Sequence, residues 1–233
     1  MKLMLINPNA SAGMARLLDA AGQRVKAAET RLEVIHLPAS VASIQGAADG
    51  VQAAFHLLPA VINGQAKGVQ GFVIACFDDT GLDAAREVAS GPVLGIGEAA
   101  MHAASMLSVR YSVLTSLPRS IHIIERNMQA YGLDRRCAKV HAADIPVLEL
   151  ERDPAHYQRL LALGQQILRE DRSECLVLGC AGMSQWAKPL QDALGAPVID
   201  GVQVALKWVE SLVSLGLGTS KLLSYRAPLS TLP

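Results

Sequence analysis

The sequence has no net charge and no long apolar segment. Its 233 residues carry 21 basic and 21 acidic side chains, so no electrostatic field would draw the protein to nucleic acid or to an anionic membrane. The uncharged stretch 51–66 contains a proline and several polar residues and is too short to span a bilayer. The first residues do not have the pattern of a signal peptide, so no cleavable leader is expected. These absences predict a cytoplasmic protein with no nucleic-acid and no membrane partner, acting on a small-molecule substrate.

The sequence also lacks the spacings that redox and metal chemistry usually require. Its four cysteines include no Cys-x-x-Cys pair, and its six histidines include no His-x-x-x-His pair, so neither a redox motif nor a zinc site is predicted. Thiols without close pairing suit a reducing cytoplasm. Residues 95–100 resemble a dinucleotide-binding Gly-x-Gly-x-x-Ala loop, but no acidic residue about twenty positions later could hold a ribose. We therefore expect no metal and no cofactor.

What the sequence does contain is a repeat, with a cysteine at the same place in each copy. The apolar runs Val73–Cys76 and Val177–Cys180 both end in cysteine, and the two cysteines are 104 residues apart. A second apolar run that begins with proline follows each of them, at 92–97 and at 197–202. Two similar halves predict a pseudo-twofold protein whose thiols face one another across the cleft between two lobes. Opposed thiols are suited to moving a proton from one face of a carbon atom to the other.

Short apolar runs alternate with longer stretches of helical period, which is the pattern of parallel sheets covered by helices on both faces. The predicted strands are 2–6, 31–37, 69–75, 92–95, 109–114, 137–142, 173–179 and 197–200. The predicted helices are 12–28, 46–66, 81–90, 98–107, 119–131, 154–170, 183–194 and 202–215. We therefore expect an α/β fold of two flavodoxin-like lobes, each with a four-stranded parallel sheet flanked by helices. Residues 1–97 and 202–233 would form the first lobe and residues 98–201 the second.

Reactive and polar residues follow several predicted strands. Asn7-Pro8-Asn9 and Thr115-Ser116 come just after the first strand of each half, and the two cysteines end a later one. Ligands of such sheets bind beyond the carboxyl ends of the strands, so the repeat predicts a site built from four loops. The backbone amides of 77–79 and 181–183 precede helices and would stabilise a thiolate or a substrate oxyanion. The small residues Ala181 and Gly182 would let a substrate approach these amides.

Burial alone is the competing interpretation of the cysteines, because cysteine often packs as a small apolar side chain. It suits Cys137, which opens a predicted strand, and Cys175, which lies within one, so both are expected to be inert. Two cysteines at matching points of a repeat favour chemistry instead.

Five segments of the chain resemble the hydantoin racemase and allantoin racemase family, part of the aspartate/glutamate racemase superfamily. They are Asn7–Asn9, Ala75–Asp79, Leu117–Ser120, Gly179–Met183 and Pro197–Gly201. The similarity extends from about residue 3 to residue 224. It implies a two-lobe fold, catalysis by cysteines without a cofactor, and a homo-oligomer.

The resulting hypothesis is a racemase of 5-substituted hydantoins that uses two bases, with Cys76 and Cys180 exchanging the C5 proton as thiolate and thiol. The predicted substrate-binding residues are Asn9, Phe77, Asp78, Thr115, Ser116, Ala181 and Gly182. Allantoin is the alternative substrate, since it differs only in the C5 substituent. A racemase of a free amino acid is a further alternative, although no cationic residue in these loops is evidently placed for a carboxylate. A small-molecule binding protein without catalysis would leave the paired cysteines without a purpose.

Overall fold

The computed structural model describes residues 1–150 and 155–228, which form two four-stranded parallel sheets. The first sheet contains β1 Lys2–Asn7, β2 Arg31–His36, β3 Gly71–Ile74 and β4 Val93–Gly95, in the order β2-β1-β3-β4. The second contains β5 Tyr111–Thr115, β6 Cys137–Ala142, β7 Cys175–Gly179 and β8 Val198–Asp200, in the order β6-β5-β7-β8. The two sheets therefore have the same strand order, and the predicted α/β fold is confirmed.

Helices follow the strands as predicted, with shifts of a few residues at their ends. The α-helices are α1 Ala12–Val25, α2 Ala47–Ala66, α3 Leu82–Val88, α4 Ile96–Leu107, α5 Ile121–Ala130, α6 His156–Asp171, α7 Ala187–Leu194 and α8 Gly201–Ser214. Two 3₁₀ helices precede α5 and α7, at Pro118–Ser120 and Ala181–Trp186. The predicted helix 183–194 therefore begins as a 3₁₀ helix. The sequence Asp153-Pro154 predicts a helix cap before a first-turn proline, and these two residues lie outside the described ones.

The central strands are buried along their whole length because helices cover both faces of each sheet. Every residue of β3, β5 and β7 is buried, which explains why β3 and β7 read as continuous apolar runs rather than alternating ones. One core cluster includes side chains from both sheets, such as Leu5 and Val73 of the first and Tyr111 and Val177 of the second. The two sheets thus share a continuous core.

The last helix packs on the first sheet, and the helix between the sheets packs on the second. Helix α8 contacts β3 and β4, and a Cβ atom added at Gly71 would lie only 2.5 Å from Val209 Cγ1. Helix α4 contacts β7 and α8. This packing supports our proposal that residues 1–97 with 202–233 form one lobe and 98–201 the other, within the residues that the structure describes.

The segment after α8 lies along the first sheet's outer helices. Thr219 donates a backbone hydrogen bond to Ser90 O (3.1 Å), and Lys221 Nζ donates to Glu87 O (2.9 Å). Further on, the Tyr225 hydroxyl donates to Asp83 Oδ1 at 2.9 Å. Residues 216–228 therefore pack against the first lobe. Among the helices described, none is long and apolar enough to cross a membrane.

Candidate active site

The two cysteines of the repeat lie at the carboxyl ends of equivalent strands. Cys76 follows β3 by two residues, and Cys180 follows β7 directly. Each begins the same turn, because its carbonyl accepts a 3.0 Å hydrogen bond from the amide three residues on, that of Asp79 and that of Met183. The two similar sequence segments therefore form the same backbone turn next to each thiol.

Both cysteines line one cleft at the carboxyl edges of the two sheets. Its empty volume, including the part open to solvent, is about 450 Å³. Eight of the nine predicted site residues line it: Asn9, Cys76, Phe77, Asp78, Thr115, Ser116, Cys180 and Ala181. All four cysteines of the chain are thiols rather than disulfides. The structure thus brings together residues that are up to about 170 positions apart in the chain.

Gly182 is the predicted site residue that the structure does not bring to the cleft wall. A Cβ atom added there would lie 3.1 Å from Met14 Cε and 3.3 Å from Leu150 Cβ. The residue is buried in the contact between α1 and the 3₁₀ helix Ala181–Trp186. A small residue at this position therefore suits the packing, and a role of Gly182 in substrate access stays a prediction.

Asn9 is held with its amide nitrogen available to the cleft. Its Oδ1 accepts hydrogen bonds from Asn7 Nδ2 and from the Ser11 amide, both at 2.8 Å. No hydrogen bond of its Nδ2 is formed within residues 1–150 and 155–228. This side chain can therefore donate to a ligand carbonyl, and the ligand need not displace an existing bond.

Three hydroxyl side chains line the second lobe's part of the cleft, and they differ in what they bind. The Thr115 hydroxyl donates to Gly179 O at 2.9 Å and so ties the end of β5 to β7. The hydroxyls of Ser116 and Ser120 form no hydrogen bond to a described residue, although both residues are buried. They are therefore available to a ligand. Ser120 was not among the predicted site residues, although it belongs to the segment Leu117–Ser120 that carries the family resemblance.

The apolar walls of the cleft were largely missed by the sequence analysis. Met14 comes from α1, while Ile44 and Val147 come from the loops that follow β2 and β6. These loops have no motif, and only the repeat could have indicated them, since each follows the second strand of its half.

Cys76 lies in an environment that disfavours its thiolate. Burial raises the pKa of the Cys76 thiol well above its ordinary value, and the negative charge of Asp78 raises it further. The Thr80 hydroxyl donates to Cys76 Sγ at 3.3 Å, which acts in the opposite direction. The sequence-based expectation that backbone amides stabilise a thiolate here is therefore outweighed, since helix α3 begins only at Leu82.

The two acidic residues after Cys76 have different surroundings. Burial raises the pKa of Asp78 to about 6, while Arg126 opposes the shift. Asp79 faces away from the cleft, and its carboxylate accepts hydrogen bonds from the amides of Gly97 (2.9 Å) and Glu98 (2.7 Å) at the start of α4. The Tyr131 hydroxyl donates to it as well, at 2.7 Å. Asp79 therefore caps a helix, whereas Asp78 faces the ligand space.

Metal ligands are not clustered in the part of the chain that the structure describes. No group of three or more His, Cys, Asp or Glu side chains there is arranged to hold a metal ion. His102 places Nδ1 2.9 Å from Glu98 O within its own helix. The chemistry that the described cleft residues offer is that of two thiols, one carboxyl group and several neutral hydrogen-bonding groups.

The family model, two relatives of known name and one solved structure all place this chain among racemases. The family described as Asp/Glu/Hydantoin racemase matches residues 3–209. A hydantoin racemase from Rhizobium meliloti is 47% identical over 229 residues, covering 98% of this chain and 95% of that protein. A hydantoin racemase from a Pseudomonas species (strain NS671) is 38% identical, covering 98% of this chain and 92% of its own. The solved structure of an allantoin racemase from Klebsiella pneumoniae is 43% identical with a TM-score of 0.97, covering 99% of this chain and 95% of that one.

Proposed function

The chain belongs to the Asp/Glu/hydantoin racemase family and is an isomerase of the racemase type, and we propose that it racemises 5-substituted hydantoins by passing the C5 proton between Cys76 and Cys180. The observation that carries this proposal is the position of both thiols in one cleft, at equivalent strand ends of two similar sheets. Racemisation needs a proton-transfer group on each face of the carbon atom, and two lobes with the same strand order supply one each.

In this mechanism one cysteine removes the C5 proton as thiolate and the other returns a proton to the opposite face as thiol. The carbonyl group next to C5 accepts the electron pair, so an enolate forms and no external electron sink is needed. Asn9 Nδ2 and the Ser116 and Ser120 hydroxyls would donate to the ring oxygens where this charge develops. Proton transfer by a positioned side chain contributes roughly 10²–10⁴-fold, and hydrogen bonds to the developing charge contribute further.

The surroundings of Cys76 disfavour one of the two forms that the mechanism uses. One thiolate and one thiol are needed, and a thiolate on Cys76 is disfavoured by burial and by the negative charge of Asp78. The enantiomer whose C5 proton faces a given cysteine reacts from the form in which that cysteine is the thiolate. The other enantiomer reacts from the form in which the proton has changed sides.

The choice of hydantoins follows from the curated relatives, whose names specify that substrate, and from the neutral donors of the cleft. Allantoin is the second candidate, because a solved structure with a TM-score of 0.97 to this chain is an allantoin racemase. Both compounds contain the same five-membered ring and would place the same C5 proton between the thiols. They differ in the substituent at C5.

We also propose a homo-oligomer that works in the cytoplasm. The family resemblance implies the oligomer, and several large apolar side chains are exposed on the described surface, among them Phe55, Leu222 and Leu223. Four thiols outside disulfides agree with a reducing compartment.

The direct test of the activity is loss of optical rotation from a panel of enantiopure 5-substituted hydantoins and allantoin. We expect purified protein to racemise the hydantoins at the same rate before and after exhaustive chelation, without added nucleotide or pyridoxal compound. A rate that falls on chelation and returns with zinc or manganese would contradict the thiol-only mechanism. Turnover of allantoin alone would establish the second candidate instead.

Substrate protection from alkylation tests the assignment of the cysteines. We expect a saturating hydantoin to slow iodoacetamide labelling of Cys76 and Cys180 at least several-fold, because the ring would occupy the cleft that both line. Cys137 is the internal control, since it is part-exposed at the start of β6 and away from the cleft, so its labelling should not change. Cys175 is fully buried and should react only on unfolding. Mass-spectrometric mapping that finds Cys137 protected, or either cleft cysteine unprotected, would refute the assignment.

A further inference from the structure

A second cavity lies directly behind one wall of the cleft. This groove runs between α2, α3 and α5, and its empty volume, including the part open to solvent, is about 1070 Å³. Asp78 lines both the cleft and the groove. The backbone of Asp78 is held from the far side, where Asn127 Nδ2 donates to its carbonyl at 2.8 Å. A single residue of the loop that carries Cys76 therefore separates the groove from the reacting thiol.

The corresponding place in the other half of the molecule is filled. There the residues after Cys180 pack against α1, with Gly182 in contact with Met14 and Leu150. Gln185 Nε2 also donates to Leu150 O, at 3.3 Å. The two halves have the same strand order, yet the residue two positions after Cys76 borders the groove, whereas the residue two positions after Cys180 is packed against Met14 and Leu150. A group that extends from the cleft has room in that direction.

The groove is lined mostly by small and apolar side chains where α2 faces it. Gly50, Val51 and Ala54 form that wall, and Leu82 and Ile123 contribute from α3 and α5. A Cβ atom added at Gly50 would meet nothing closer than Thr80 Oγ1, at 4.0 Å. Thr80 in turn donates to Cys76 Sγ at 3.3 Å. The inner end of the groove is thus one side chain away from the thiol. Its α2 wall suits an apolar group, whereas Asp78, Asp83 and Arg126 make other parts of the lining polar.

Resting on the proposed function, we infer that the groove receives the C5 substituent of the substrate and that it favours extended apolar substituents such as benzyl. The hydantoin ring stays between the two thiols, and the substituent passes Asp78 into the space between α2 and α5. Short substituents, such as methyl, do not reach the groove. The size of the α2 side chains that line it then determines which hydantoins are good substrates.

Replacing Gly50 by a large residue, whose side chain would occupy the groove, tests this inference. In Gly50→Phe the added ring starts from a position with open space around it, so the helix backbone need not move. We expect the ratio of kcat/KM for 5-benzylhydantoin to that for 5-methylhydantoin to fall at least about tenfold, since the removal of space for even a few carbon atoms costs that much in a specificity pocket. Gln52→Phe is the matched control, because it adds the same side chain to an exposed position of α2 outside the groove and should leave the ratio unchanged.

The other outcomes overturn the inference. If Gly50→Phe leaves the ratio of the two kcat/KM values unchanged, the substituent lies elsewhere. If it lowers kcat/KM equally for both substrates, the substitution has disturbed Thr80 rather than filled a substituent site. A changed oligomeric mass with an unchanged ratio would assign the groove to a second copy of the chain. If Gly50→Phe does not fold, Gly50→Leu gives the same comparison with a smaller side chain.

A binding readout separates this inference from the proposed function. In Gly50→Cys, 5-benzylhydantoin should slow labelling of the new thiol by iodoacetamide, whereas 5-methylhydantoin should protect only the cleft cysteines. A parent protein that racemises neither hydantoin refutes the proposed function whatever this labelling shows. A parent that racemises both, with no protection of residue 50 by the benzyl compound, refutes the groove assignment alone.

Discussion

Cys76→Ser and Cys180→Ser should each abolish racemisation while retaining exchange of the C5 hydrogen with solvent. Serine is close to cysteine in size but far less acidic, so the proton-transfer group on one face is lost while the fold persists. We expect the racemisation rate to fall by at least roughly 10²-fold, the lower range for removal of a positioned acid or base. The remaining cysteine can still remove and return a proton on its own face. In deuterium oxide each variant should therefore exchange one enantiomer without inverting it.

The stereochemical outcome is the decisive part of this experiment. The two variants should exchange opposite enantiomers, because the two thiols face opposite sides of the ring. Cys137→Ser is the matched control and should racemise at the parent rate, since that thiol lies at the start of β6 and away from the cleft. Racemisation near the parent rate in either cleft variant, or exchange of the same enantiomer by both, would rule out two-base transfer.

Asp79→Ala should be the most destabilising single substitution near the site, although Asp79 touches no substrate in our mechanism. It removes the acceptor for the Gly97 and Glu98 amides and for the Tyr131 hydroxyl. Loss of a helix cap together with buried donors left without partners costs about 2–4 kcal/mol of unfolding free energy. For a domain of this size that corresponds to a fall in Tm of roughly 5–12 °C. Asp192→Ala, which removes an exposed carboxylate that pairs with Lys188, should change Tm by little.

The effect of Asp79→Ala should also depend on pH. Burial raises the pKa of Asp79 to about 7, against the hydrogen bonds that lower it. The folded state therefore binds more protons than the unfolded state between about pH 4 and pH 7, and the stability that this carboxyl contributes declines as pH rises through that window. Thermal unfolding should show a larger deficit for the variant at pH 5 than at pH 8. A deficit that grows with pH would mean that the folded carboxyl has a low pKa and is ionised throughout.

The fold could be predicted from the sequence because the apolar runs that mark the strands are local patterns and occur in both halves of the chain. Short apolar runs such as Val177–Gly179, bounded by turn residues, favour strands covered on both faces, and the repeat of cysteine after such runs predicted two thiols in one cleft, which both line. The predicted site was less complete where it depended on packing. The packing of Gly182 could not be predicted because its contact partners, Met14 and Leu150, are distant in the chain and no pattern links them.

The electrostatic environment of Cys76 was the other property of the site that could not be predicted from the sequence. The raised pKa of Cys76 depends on how deeply the thiol is buried and on which of the two adjacent acids faces it. Asp78 and Asp79 are neighbours in sequence, yet one faces the cleft and the other caps α4, because Asp79 has a positive φ of 49° that turns it away. A backbone angle of this kind is not visible in a pair of aspartates.

The packing of α8 on the first sheet has a consequence for how the protein is made. The strands β3 and β4 leave the ribosome in the first half of synthesis, but the helix that covers them is the last one in the described chain. Until α8 emerges, residues such as Gly71 and Val73 lack a covering layer on that face, and the first lobe cannot complete its core. Contacts between residues so far apart in the chain form slowly because of the loop-closure entropy that must be overcome first. The nascent N-terminal half therefore exposes apolar sheet surface for most of translation, which makes it a natural client for chaperones that bind emerging chains.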